Sequence, residues 1–185
     1  MKNLLLLALL LLLVSTLSFA GGHEKTPPKK PYPFLAGKTV AFVSFASGAQ
    51  KDALKQQATG FFNKWKRYTV LDDPAQADLI VLIGPLPTKV SGEAFDAVII
   101  GKEPPEAVDV AGAPSQFAVF DSGELRAPTG PVRALWSTPM NGNDVNSAAK
   151  KYKEVVHEVQ DSYNNSGLTH ENCSALGIRC AVYDH

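Results

Sequence analysis

The apolar positions of this chain follow three different rhythms. Residues Leu4 to Val14 form an unbroken apolar run behind Met1-Lys2-Asn3, and the small residues Ser15 to Ala20 follow it. A membrane-spanning helix needs about 20 apolar residues, and this run is roughly half that length. A lysine, a short apolar block and a Ser18-x-Ala20 site before Gly21-Gly22 have the order of a secretory leader cleaved after Ala20. Residues 1–20 are therefore expected as a signal peptide, and no stable membrane anchor is expected once it is removed. Glycine rather than cysteine follows the predicted site, so a lipoprotein-type anchor is not expected either.

From Lys38 the rhythm changes. Thr39-Val40-Ala41-Phe42-Val43-Ser44-Phe45 is apolar on both alternating faces, which predicts a strand covered on both sides. Ser47 and Gln50 have the spacing of a capping box, predicting a helix start there. Leu54, Ala58, Phe61, Phe62 and Trp65 then recur at helical period, with Lys51, Lys55, Gln56 and Lys64 between them. Trp65 on that stripe reads as core, and Gly60 as a point of close packing on the sheet. Tyr68 to Leu71 predicts a second strand. Asp78 to Ile83, bounded by Pro74 and Gly84-Pro85, predicts the most buried one.

Between Pro85 and Pro114 the chain is rich in glycine and proline, with one further strand expected at Phe95 to Ile100. Gln116 to Phe120 and Val132 to Ser137 predict an antiparallel pair joined by an irregular loop, Asp121 to Pro131. After the polar cap group Asn141 to Asp144, a stripe from Val145 through Ala148, Ala149, Tyr152, Val155, Val156 and Val159 to Tyr163 predicts a second amphipathic helix, stopped at Asn164 to Gly167. The order β-α-β-β-(β)-β-β-α describes a small α/β (mixed α+β) fold, with two helices packed on a mixed sheet. The expected organisation is a leader (1–20), a Pro/Lys-rich linker (21–36), an α/β domain (37–163) and a cysteine-containing tail (164–185). The linker reading rests on Pro27, Pro28, Pro31 and Pro33 with Lys25, Lys29 and Lys30 among them, a composition that favours extended, solvated chain.

Composition narrows the partners. Lysine plus arginine and aspartate plus glutamate number 18 each, so no bulk charge recruits nucleic acid or anionic lipid. Candidate catalytic patterns are incomplete. Ser147-Ala148-Ala149-Lys150 has serine-x-x-lysine spacing and Tyr163-Asn164-Asn165 echoes a companion motif, but the lysine-threonine-glycine element is missing and Ser147 lies on a polar helix face. Ser47 to Lys51 lacks the spacing of a phosphate-binding loop. No catalytic residue and no cofactor is expected, and the chain reads as a non-enzyme. The alternative is a secreted hydrolase with its site in loops 85–114 and 121–131.

The tail gathers His170, Cys173, Cys180 and His185. Thiolate and imidazole are zinc's preferred ligands, so these four form a candidate metal set, and metal handling is a third function class. The gap between the cysteines is wider than in zinc knuckles. In an exported protein the pair Cys173 and Cys180 is expected as a disulfide closing a small loop outside the main core.

Residues Trp65 to Val70, the acidic-proline turn Asp72-Asp73-Pro74 and Ala77-Asp78 before an apolar strand carry a resemblance. They resemble exported α/β proteins related to the amino-terminal domain of TolB and to the CsgG and LpoB envelope proteins. Asp121, Gly123, Glu124 and then Trp136-Ser137 match the hairpin that precedes the last helix there. The resemblance spans roughly residues 38–160; an insertion between Glu124 and Trp136, an expanded 85–114 region and the tail depart from it. It implies a non-catalytic, secreted or periplasmic module that binds another envelope protein or itself.

Overall fold

A computed structural model of the chain describes residues 32–86, 114–126, 132–165 and 170–179. The leader, most of the linker, the expected strand at 95–100, Cys180 and His185 lie outside the described residues. All of the described residues fall in one compact unit.

Five strands make one mixed sheet: β1 (Thr39–Ser44), β2 (Thr69–Leu71), β3 (Leu79–Pro85), β4 (Ser115–Asp121) and β5 (Trp136–Pro139). Their order is β2-β1-β3-β4-β5. β1 runs parallel to both β2 and β3, whereas β4 is antiparallel to β3 and to β5. A short helix α1 (Pro33–Ala36) precedes β1, and the long helices are α2 (Ala49–Trp65) and α4 (Val145–Asn165). Between them lies the short α3 (Ser122–Arg126), and α5 (His170–Ala175) follows α4. This is the small α/β architecture that the periodicity predicts.

The central position of β3 follows from its composition. Leu79 through Ile83 are essentially inaccessible to solvent, as a run apolar on both faces requires. Alternate residues serve two cores. Val40, Phe42, Leu79, Val81, Ile83, Phe117 and Val119 join α2 and α4 in the larger one. Ile80, Leu82, Leu86, Ala118, Phe120 and Leu125 of α3 form the smaller one on the opposite face.

The larger core is dominated by aromatic rings around Tyr152 of α4, which is wholly buried. Its ring stacks at 6.0 Å on Phe62 and at 6.4 Å on Tyr68, and meets Phe34 edge-on at 5.2 Å. Trp65 and Trp136 approach it at 6.0 and 5.6 Å. Such ring pairs add about 0.5–1.5 kcal/mol each beyond their area burial. Trp65 is half-buried and packs against this core, with the Lys153 ammonium 6.0 Å from its centroid.

Several expectations are corrected. Ser47 and Gln50 form no capping box: Gly48 occupies the N-cap of α2 at φ 58°, and no side chain caps the helix. That left-handed conformation suits glycine. Gln50 instead donates through Nε2 to Asn143 Oδ1, joining the start of α2 to the turn before α4. Gly60 is exposed, and a β-carbon there would meet nothing within 4 Å, so it marks no close packing. Gly60→Ala is accordingly expected to stabilise the domain by up to about 1 kcal/mol, read as a higher urea midpoint at unchanged m-value.

Both chain ends of the described unit also enter the core. Tyr32 and Phe34, within the expected linker, are fully buried, and Pro33 opens α1, the first-turn position its fixed φ suits. Cys173 and Ile178, within the expected tail, belong to the same cluster. The second strand of the hairpin starts at Trp136 rather than Val132 and continues to Pro139, and the expected irregular loop opens with α3.

Candidate functional site

Asp78 stands where the chain enters β3, beside the start of the parallel strand β1. Its Oδ2 accepts from the backbone amides of Lys38 and Thr39 at 2.8 and 2.9 Å and from the Thr39 hydroxyl at 2.9 Å. The Asp78 amide in turn donates to Thr39 Oγ1 at 2.9 Å. Desolvation pushes this carboxyl upward, but the Lys38 and Thr39 amides, the Thr39 hydroxyl and the Arg126 charge outweigh it and hold Asp78 below the ordinary aspartate range. The carboxylate therefore fixes the register of two strands whose starts are far apart in sequence.

On the antiparallel side, Asp121 ends β4 and caps α3: its Oδ1 accepts from the amides of Gly123 at 2.7 Å and Glu124 at 3.4 Å. The Ser122 hydroxyl and the Arg126 guanidinium converge on the Ala77 carbonyl at 2.5 and 2.9 Å. The Ser122 amide donates to the Asp78 carbonyl at 3.0 Å. Asp78, Asp121, Ser122, Gly123 and Arg126, with residues of α1 and the start of β3, line an open cleft of about 340 Å³ at this end of the sheet. It holds two carboxylates and a guanidinium, each tied into the backbone around it. Its chemistry supports the architecture: one carboxylate bridges strands, the other caps a helix, and two donors satisfy one carbonyl.

The described residues of the catalytic and metal-binding patterns lie outside this cleft. Ser147 and Lys150 are exposed near the start of α4. The Ser147 amide and hydroxyl both donate to Asp144, at 3.0 and 2.6 Å, which makes Asp144 the cap of that helix. The Ser147 hydroxyl and then its amide hold the Asp144 carboxyl below its ordinary range. In the loops considered for a hydrolase site, the described acidic and basic groups are Asp121, Glu124 and Arg126; Glu124 accepts from Arg179 Nη2 at 2.6 Å. Of the four candidate metal ligands, Cys173 is 2% exposed within the main core, while Cys180, His185 and the His170 side chain lie outside the described residues. Among the described residues no group of three or more His, Cys, Asp or Glu side chains gathers to hold a metal. No described helix is long and apolar enough to cross a membrane.

Sequence reasoning missed two residues. Arg126 completes the cleft, and Arg179 reaches from the tail to Glu124, to the Leu135 carbonyl through its amide at 3.0 Å, and to the Tyr32 hydroxyl through its carbonyl at 2.8 Å. Neither belongs to a motif, so spacing offered no signal. No family model, no curated protein and no solved structure matches the chain.

Proposed function

We propose that the chain is an exported, non-catalytic α/β interaction module of the cell envelope or periplasm, cleaved after Ala20 and engaging another envelope protein or a second copy of itself. The observation that carries this reading is apolar and half-exposed. Val43, Phe45, Val132 and Ala134 border the smaller core on the sheet face away from the long helices. Partly exposed apolar side chains at the margins of a sheet face offer positions for protein contact. The carboxylates and the guanidinium of the cleft, by contrast, are engaged in capping and bridging bonds. The TolB/CsgG/LpoB-like resemblance belongs to the same proposal. Its Asp121, Gly123 and Glu124 lie at the β4–α3 junction, and Trp136-Ser137 opens β5.

A Cys173–Cys180 disulfide is part of this reading. It is supported by the expected oxidising compartment and by the finding that no described cysteine is a free thiol. The function is tested by placing a photoreactive residue at Phe45 in the exporting cell, where a discrete protein adduct is expected. Adduct-free protein that turns over an ester or peptide substrate would replace this reading with the hydrolase.

A further inference from the structure

The carboxyl end of α2 concentrates positive charge that nothing around it balances. Lys64, Lys66 and Arg67 are exposed there, next to the half-buried Trp65, and Lys153 of α4 places its ammonium 6.0 Å from the Trp65 ring centroid. The segment Lys64 to Tyr68 holds three cations, two aromatic rings and no acid, and no carboxylate stands three or four positions from Lys153 along α4. Among the described residues none of these four cations forms an ion pair. Lys66 adds a second observation. At the C-cap of α2 it takes a left-handed conformation, φ 59° and ψ 18°, and among the described residues it is the one residue other than glycine with a positive φ. Glycine fills such a position without steric cost. The helix dipole favours a cation at this end, but Lys64 in the last turn already supplies one. A lysine is thus kept where the backbone disfavours it, and that strain points to a role for its side chain.

We propose that this helix end is a peripheral contact for an anionic phospholipid surface: Lys64, Lys66, Arg67 and Lys153 meet the headgroups, and Trp65 enters the interface beside them. The kind of cation decides between a lipid surface and an acidic protein segment. Carboxylates held in one geometry are matched by the guanidinium fork, whereas lysine is a point charge on a flexible stem. Three of the four cations are lysines, and the one fork, Arg67, spends Nη2 on the Phe34 and Leu35 carbonyls at 3.5 and 3.4 Å, with its central carbon 5.8 Å from the Tyr68 centroid. That set suits a diffuse field of headgroups, and a tryptophan flanked by lysine and arginine is the composition of the membrane–water boundary. The neutrality of the whole chain does not prevent the contact, because surface attraction decays within a Debye length, about 10 Å at ~0.1 M salt. The contact is reversible, needs no spanning helix and is independent of the sheet-face contact proposed above.

The test is binding of the protein purified from the exporting cell to vesicles containing phosphatidylglycerol, against vesicles of phosphatidylcholine alone, at low and high salt. Trp136 is 7% exposed, so a shift of tryptophan emission to shorter wavelength reports Trp65. The shift is expected only with phosphatidylglycerol, is expected to fade as salt rises, and is expected to vanish in Trp65→Phe. Lys64→Gln and Lys66→Gly are each expected to lower the partition coefficient about fivefold. Lys66→Gly also relieves the backbone, so its urea midpoint is expected at or above the wild-type value, which separates lost charge from lost folding. Partitioning of both lysine variants at the wild-type level, equal binding to the two kinds of vesicle, or binding to neither would overturn the proposal. The same emission shift with inorganic phosphate would assign the site to a free anion, and a shift with a polyglutamate peptide but not with vesicles would assign it to an acidic protein segment; either result overturns the membrane contact.

Discussion

Val81→Asp is expected to abolish cooperative folding. Val81 lies in the middle of the central strand, paired with Phe42 on one side and Val119 on the other, and is 0% exposed among the apolar side chains of the larger core. Its described neighbours across the sheet, Phe42 and Val119, offer an introduced carboxylate no charge or side-chain donor. An unpaired buried charge costs several kcal/mol against a total stability of about 5–15 kcal/mol for a domain of this size. The variant should lose its unfolding transition in urea and its near-ultraviolet circular dichroism. A Val81→Asp protein that melts cooperatively near the wild-type midpoint would show that β3 is peripheral.

The second large effect belongs to Tyr152. The Tyr68 hydroxyl donates its single proton to the Phe34 carbonyl at 2.9 Å, so in the 3.2 Å contact between Tyr68 and Tyr152 the donor is Tyr152. Burial raises the pKa of both phenols, that of Tyr152 well above its usual value, and the neighbouring Tyr68 adds to the rise at Tyr152. Both hydroxyls therefore stay protonated and the relay keeps its direction. Tyr152→Ala removes the ring on which at least five others pack and is expected to cost about 3–5 kcal/mol.

The two phenylalanine variants separate ring from hydroxyl. Tyr152→Phe deletes one donor and leaves Tyr68 bonded to Phe34, costing about 0.5–1.5 kcal/mol. Tyr68→Phe leaves the buried Tyr152 hydroxyl without an acceptor and is expected to cost more, about 1–3 kcal/mol. Urea midpoints at constant m-value give the order. A larger loss for Tyr152→Phe than for Tyr68→Phe would reverse the assigned direction of the relay.

The legible parts of this fold were those whose burial repeats. β1 and β3 are apolar on both faces, and the stripe of α4 from Val145 to Val159 is carried into the core almost position by position. What escaped was decided by partners distant in sequence. Tyr32 and Phe34 sit among prolines that signal extended chain, and the ring of Tyr152, the hydroxyl of Tyr68 and the carbonyl of Arg179 make that segment part of the core. The capping-box spacing at Ser47 and Gln50 was satisfied in sequence but not in space. Gly48 takes the N-cap and Gln50 finds Asn143 across the helix pair. Asp78 was visible as a residue before a strand; its bonds to Lys38 and Thr39 depend on a parallel register that no local pattern encodes. The cleft was illegible for the same reason, since α1, β3 and α3 each supply part of its wall.

On the proposed function the domain works by contact through the sheet face opposite its long helices. Paired photocrosslinking tests it most directly, with the reactive residue at Phe45 on that face in one variant and at Lys150 on the exposed surface of α4 in the other, both expressed with the full leader in the exporting cell. A discrete protein adduct is expected at Phe45 in the extracytoplasmic fraction, either with one partner or at twice the chain mass, and none at Lys150. Equal crosslinking at both positions, or none at Phe45 in correctly exported protein, would contradict it.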